Sequence, residues 1–383
     1  MRPENPIRCR ALGLLTATTW LLAAPAATSA QDAGASGARS YYVYVAAESE
    51  DRVDIVRFRG GSATLVDSIS VGRFPTEIDG PHGLAVDPSG ERWYLTLAHG
   101  NPFGSVVGYS TETNRPEGSV TLGMFPATMQ VTPAGLLFAV NFNLHGDHVP
   151  SSVSVVDVQS MIEIAQVETC TMPHGSRLTR DGARHYSACM MDDMLVEIDA
   201  LRLEVSRRMY LGPENERDWP ADDSSSPKSA HEGMDMPVCS PTWAQPSIDG
   251  SRIYVACNKN AEVLEIDSKE WRVTRRFETG PGPYNLDVTP DGRRLVVTYK
   301  GGQATGVWDL ETGREHARIA NSRRLPHGIA VTPDSRFAFI TVEGVGGEPG
   351  TVDVIDLERG ELVSSADVGK QAGGVAFWKV EGS

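Results

Sequence analysis

Three Pro-His-Gly tripeptides, at positions 81–83, 173–175 and 326–328, are the residues of this chain that first invite a chemical question. Imidazole changes charge near neutral pH, moves protons and ligates transition metals. Three copies in one local setting suggest a shared ligand, whereas each taken alone is equally the mark of a structural histidine bonded to its neighbours. His99 follows the first copy closely, and His145 and His148 stand three residues apart in NLHGDHV. The candidate metal ligands are therefore His82, His174, His327, His99, His145 and His148, with copper or zinc the ions that clustered imidazoles suit. His185 and His316 read as surface residues of strands or loops.

Sulfur offers a second set of chemistry. Met124, Met129, Met172, Met190, Met191, Met194, Met234 and Met236 crowd one third of the chain. Thioethers select copper(I), but methionine is also ordinary packing material. HEGMDMPVC at 231–239 is the most copper-like string, in a segment whose Asp, Ser and Pro content equally describes a flexible loop. Four cysteines follow residue 30: Cys170, Cys189, Cys239 and Cys257. Each pair flanks a hairpin turn, at Asp181-Gly182 and Asp249-Gly250, which predicts the disulfides Cys170–Cys189 and Cys239–Cys257, with thiolate metal ligation as the competing reading. There is no Gly-x-Ser-x-Gly elbow and no phosphate-cradling loop ahead of a helix. A catalytic residue is therefore unassigned, although a rim histidine acting as base beside Asp147, Glu343 or Asp192 stays open. Cys-x-x-Cys-His is absent, so a haem would bind without thioether attachment.

The elements that must position these groups repeat. Apolar runs open at His82, Ala127, His174, Thr242, Tyr284, His327 and Ala372, at steps of 45, 47, 68, 42, 43 and 45 residues. Each is followed by a Gly-centred or similar turn and a second run rich in Val, Ile, Tyr and Phe, such as RWYLTLA at 92–98 and FAFITVE at 337–343. Seven such units of several short strands predict an all-β, seven-bladed β-propeller. The chain opens on a second strand at Tyr41 and ends on a lone first strand. The ring is therefore expected to close by pairing the C-terminal strand with the N-terminal blade, which removes the free edges. The one long step marks an insert, expected to be flexible, at about 212–239.

Because successive strands alternate in direction, first-strand starts and second-strand ends share one face. That rule gathers the three Pro-His-Gly motifs, His99, Cys189 and Cys257, together with all the long loops, on one mouth of the channel. The opposite face has only minimal turns, so the His-lined face is taken as the functional one.

YVAAESEDRVDIV, YVACNKNAEVLEID and the VTPDG and VTPDS turns at 288 and 331 resemble the YVTN-type β-propeller repeats over essentially the whole chain after residue 30. The resemblance implies the fold and leaves function open, since related propellers serve as scaffolds, haem carriers and parts of enzymes. The His-rich rim is partially similar to the propeller of nitrous oxide reductase, which holds a copper cluster with histidines at inner-strand starts. No cupredoxin domain and fewer histidines are present here, so the reductase activity is not implied.

Residues 1–30 have the pattern of a secretory signal peptide: Arg2, Arg8 and Arg10, an apolar stretch from Ala11 to Ala24, then PAATSA. Residues 31–383 form the single propeller, expected in the periplasm or secreted, with no membrane span after cleavage. The net charge of -15 disfavours nucleic acid and anionic membranes. The expected partner is a small ligand or metal ion at the channel mouth. The alternatives are a cell-envelope protein bound through the insert, or a redox or lyase enzyme using the same histidines.

Overall fold

The computed structural model describes residues 39–73, 76–100, 102–212, 216–222 and 237–382. Within it the chain is a seven-bladed β-propeller, each blade an antiparallel sheet whose strands follow one another outward from the channel. The innermost strands are Pro81–Val86, Pro126–Val131, Pro173–Leu178, Pro241–Pro246, Pro283–Val288, Pro326–Val331 and Ala372–Glu381. They belong to blades 2 to 7 and, for the last, to blade 1. The expected signal peptide lies outside the described residues.

Six of the inner strands begin one residue earlier than the sequence pattern suggests, each on proline, and the seventh begins at Ala372 as expected. Proline lacks an N–H, and the first residue of a strand is a place where that costs nothing. The residue before each start is left-handed in all seven blades, at Gly80, Phe125, Met172, Ser240, Gly282, Leu325 and Gln371, with φ between 47 and 66°. Five of these are not glycine, and each such residue costs on the order of 1 kcal/mol or more. Tight packing around the channel must hold them there.

The hydrophobic core is divided into seven wedges, one for each seam between adjacent blades, with a small eighth cluster of Ala98, Phe125, Ala127 and Phe142 at the channel mouth. This explains why the second strands read as continuous apolar runs. Val43 and Val45 pack toward blade 7, while Tyr44 and Ala46 pack toward blade 2. Both faces are buried, so strict alternation disappears. Closure follows the expected route: Ala372–Glu381 pairs with Ser40–Ala47, from Ser40 opposite Glu381 to Ala47 opposite Ala372. Trp378 of that closing strand stacks on Tyr44, ring centroids 4.8 Å apart, and Tyr44 stacks in turn on Trp93 of blade 2.

Both cysteine pairs are disulfides as expected, Cys170–Cys189 and Cys239–Cys257. They flank the insert, of which 213–215 and 223–236 lie outside the described residues. Within its described part, Arg217–Trp219 is not loose loop but a fifth, outermost strand of blade 4, pairing from Arg208 opposite Trp219 to Tyr210 opposite Arg217. Met234 and Met236 fall outside the described residues.

His185 corrects the sequence reading. It is not a surface residue: 1% of it is exposed, and it stacks on Phe138 at 5.4 Å with neither ring nitrogen hydrogen-bonded. Its second strand is buried on both faces, so a polar residue type carried no information about exposure. His316 is exposed, as expected.

Two measurements test this account. Deleting 371–383 strips blade 1 of its inner strand and exposes the Ser40–Ala47 edge; the truncated chain is expected to lose its single cooperative thermal transition and to aggregate. Burial pushes the His185 imidazole down to about 3. The unfolded chain, titrating near 6.5, thus binds more protons, and stability falls as pH drops from about 6.5 toward 3, by about 1.4 kcal/mol per pH unit for this group. His185→Phe should therefore reduce the stability lost between pH 6 and pH 4 by about 2 kcal/mol, read from urea unfolding at both values.

Candidate functional site

The residue after each inner-strand start forms a ring around the channel mouth: His82, Ala127, His174, Thr242, Tyr284, His327 and, in blade 1, Gly373. The residue that follows each second strand lies just outside, and this outer set includes Glu48, Lys300 and Glu343. The sequence reading noticed the histidines and, through its loop analysis, Glu343. It missed Glu48, Tyr284 and Lys300, although the same two register positions would have found them.

The inner strands approach so closely that side chains at the seams are forced. A Cβ added to Gly83 would stand 2.0 Å from the Ala127 carbonyl of the next blade, and one on Gly374 would stand 2.0 Å from the His82 carbonyl. The glycine of Pro-His-Gly is thus a steric requirement. Threonine hydroxyls then tie one blade to the next. Thr96 Oγ1 accepts from the Gly83 N–H at 2.7 Å and donates to the Ala127 carbonyl at 3.2 Å. Thr298 and Thr341 do the same for the His327 and Gly373 carbonyls. Thr128 donates to the His174 carbonyl at 2.7 Å and Thr242 to the Tyr284 carbonyl at 2.8 Å.

At the seam between blades 4 and 5 the imidazole of His174 fills the threonine's place, its Nδ1 3.0 Å from the Thr242 carbonyl. That contact fixes the tautomer: Nδ1 carries the proton, and Nε2 accepts from Tyr284 Oη at 3.0 Å. His174 is 2% exposed, and burial pushes it down to about 3, so it is neutral at physiological pH. Both its nitrogens are committed within the protein.

His82 and His99 converge on one carboxylate. His82 Nδ1 donates to Glu48 Oε2 and His99 Nε2 to Glu48 Oε1, each at 2.8 Å. Glu48 sits in the short 3-10 turn Glu48–Glu50 that follows the second strand of blade 1. Burial works against its charge, but the His82 and His99 imidazoles outweigh it and hold the carboxyl well below its usual range. The Glu48 hydrogen bond in turn raises His99. The His82 ring lies 5.7 Å from that of His327, and the His99 ring lies 5.8 Å from that of His145. Phe125 packs edge-on against His82, His99 and His145.

Across the mouth, Lys300 Nζ donates to Glu343 Oε1 at 2.6 Å and lies 4.3 Å from the Tyr284 ring centroid. Burial opposes the Lys300 charge, yet Tyr284 and Glu343 outweigh it and raise its titration. His327 is lowered well below the ordinary imidazole value by burial and by the neighbouring Lys300. Its Nδ1 is buried without a hydrogen-bond partner.

Of the six candidate histidines, His82, His99, His145 and His327 therefore stand in ring-to-ring proximity, His174 serves the seam, and His148 is an exposed loop residue. Among the described residues, no group of three or more His, Cys, Asp and Glu side chains stands together in a metal-holding arrangement.

The seam assignment separates His174 from the other ring histidines by experiment. His174→Ala removes two buried hydrogen bonds and leaves a void, and is expected to destabilise the fold by about 2–4 kcal/mol in chemical denaturation. His82→Ala, at the rim, should cost less than half as much.

No family model matches the chain, and no curated protein matches it. Among solved structures, hydrazine synthase from Kuenenia stuttgartiensis is similar in fold, with a TM-score of 0.62 and 21% identity over 80% of this chain and 92% of that one. At that identity the likeness is one of propeller architecture.

Proposed function

We propose that this chain is an exported, YVTN-like propeller that binds a small ligand at the His-lined mouth of its channel, and that the ligand is a copper or zinc ion. The observation that carries the reading is the Glu48–His82–His327 arrangement. A carboxylate holding one nitrogen of an imidazole fixes its tautomer and leaves the other nitrogen's lone pair for an ion, the usual outer-shell device of metal-binding histidines. With Nδ1 on Glu48, His82 presents Nε2. Two imidazoles at about 2.1 Å from one first-row ion have ring centroids roughly 5–6 Å apart, and His82 and His327 are separated by 5.7 Å. His99, held by the same Glu48, forms a second pair with His145, whose long loop can close over the mouth.

Export is supported by two features: the disulfides, which persist in oxidising compartments, and the leader-like residues 1–30. Among the described residues no helix is long and apolar enough to cross a membrane. The periplasm or the external medium is the compartment these features fit.

The opposite side of the mouth favours a second reading. Lys300, Glu343, Tyr284 and the Glu48–His82 pair are the groups that general acid–base chemistry on an organic substrate would use. An envelope partner docking on the 212–239 insert is the remaining alternative, tested by whether deleting the insert removes a captured protein while leaving bound ion unchanged.

Elemental analysis of the chain purified from the periplasm without chelator or nickel resin decides between ion and organic ligand. Near-stoichiometric copper or zinc is expected, falling to background in His82→Ala/His327→Ala. Glu48→Gln should weaken affinity 10- to 100-fold while keeping the fold. Full metal content in the double variant, or a metal-free wild type even after reconstitution, would refute the metal site.

A further inference from the structure

The turn-side mouth of the channel, opposite the histidines, is open. A cavity of about 570 Å³ opens there between the lower ends of the inner strands. It runs up into a chamber of about 40 Å³ beneath His82 and His327, and Arg177, Leu84, Met129 and Ile329 line both. Minimal turns on this face gave the sequence no sign of it, because most of the lining comes from the strands themselves.

The lining is divided by blade. Blades 4, 5 and 6 supply the polar groups: Arg177, then Trp243 and Gln245, then Asn285 and Asp287. Blades 7, 1 and 2 supply mainly apolar ones, among them Ile329, Val331, Val375, Phe377, Leu84 and Val86, with His82 and His327 at the top of the chamber, and blade 3 between the two sides adds Met129, Gln130 and Val131. A channel needing only to be filled has no reason to be polar on one side.

The polar side has unmet hydrogen-bonding capacity. Arg177 lies over Trp243, its guanidinium carbon 4.6 Å from the ring centroid, and Nη1 donates to the Ser176 carbonyl at 2.9 Å. Among the described residues, no carboxylate lies within ion-pair distance of it. Burial lowers it to about 10, with Asp287 the opposing charge, and burial likewise raises Asp287 to about 6. Trp243 Nε1, Gln245 Oε1 and Asn285 Oδ1 are buried without partners, in side chains 3%, 8% and 2% exposed. A buried polar atom left unpaired costs about 1–3 kcal/mol; of these three only Trp243 Nε1 is a donor that a carboxylate can meet, the amide oxygens being acceptors, and the Arg177 guanidinium can meet a carboxylate with two parallel bonds.

We infer that the turn-side mouth is a second binding site, for a small organic carboxylate whose charged end meets Arg177 and whose apolar body lies against blades 7, 1 and 2. A monoanion suits the half-buried Arg177 with Asp287 nearby and the exposed Arg180 at the cavity's edge; an inorganic phosphate would leave the apolar wall unused and oppose Asp287.

Calorimetric titration of the full chain with hexanoate, hexanol and inorganic phosphate tests the assignment. Hexanoate is expected to bind at least tenfold more tightly than either control. Arg177→Gln should weaken it tenfold or more. Absent hexanoate binding, phosphate binding as tight as hexanoate, or unchanged binding in Arg177→Gln would each overturn the site. Should Arg177→Gln fail to fold, Ala376→Trp fills the apolar side of the same cavity, and hexanoate binding retained in that variant would overturn it as well.

Discussion

Everything at the channel depends on how closely the inner strands approach one another. Where a carbonyl of one blade stands 2.0 Å from the Cβ position of its neighbour, the neighbour must be glycine. Where there is more room, a threonine hydroxyl or the His174 imidazole bridges the gap. These short bridges fix the ring residues to within a hydrogen-bond length. They also hold five non-glycine residues in the left-handed conformation at the strand entries. Such strain persists only where the surroundings over-determine it. The same packing that costs conformational freedom makes the mouth a rigid frame for Glu48, His82 and His327.

Much of this was legible in the residues. The period fixed the blade count, and an opening second strand with a closing first strand implied the pairing that Ser40 and Glu381 make. The hairpin positions of the four cysteines implied both disulfides. What stayed hidden has a physical reason in each case. His185 looked exposed because polar type is a poor guide to burial in a strand covered on both faces. Glu48 escaped notice because it is one acidic residue among three in AESED, and only its equivalence to Glu343 at a second-strand end distinguishes it. The Arg177 cavity was invisible because its walls are mostly strand residues drawn from all seven blades, each unremarkable in its own segment.

The histidines show why a shared motif does not imply a shared task. Pro-His-Gly places each imidazole at the same height, but neighbours decide its use. Beside Glu48 the His82 ring is oriented with one nitrogen spare. Beside Thr242 and Tyr284 the His174 ring is consumed by hydrogen bonds. Beside Lys300 the His327 ring is held neutral by burial and a nearby cation. Three equal tripeptides thus become three different groups, because blade neighbours, not the motif, set proton and partner.

The division of the core into seven wedges has a geometric consequence. The wedge angles around the ring must sum to one full turn, so no seam sets its own angle independently. A methyl group added at Phe339 in one wedge cannot simply push two blades apart; the other six seams must narrow, or the channel must widen. Aperture is therefore a shared property of distant seams, and the two mouths, bounded by the same seven strands, open or tighten together.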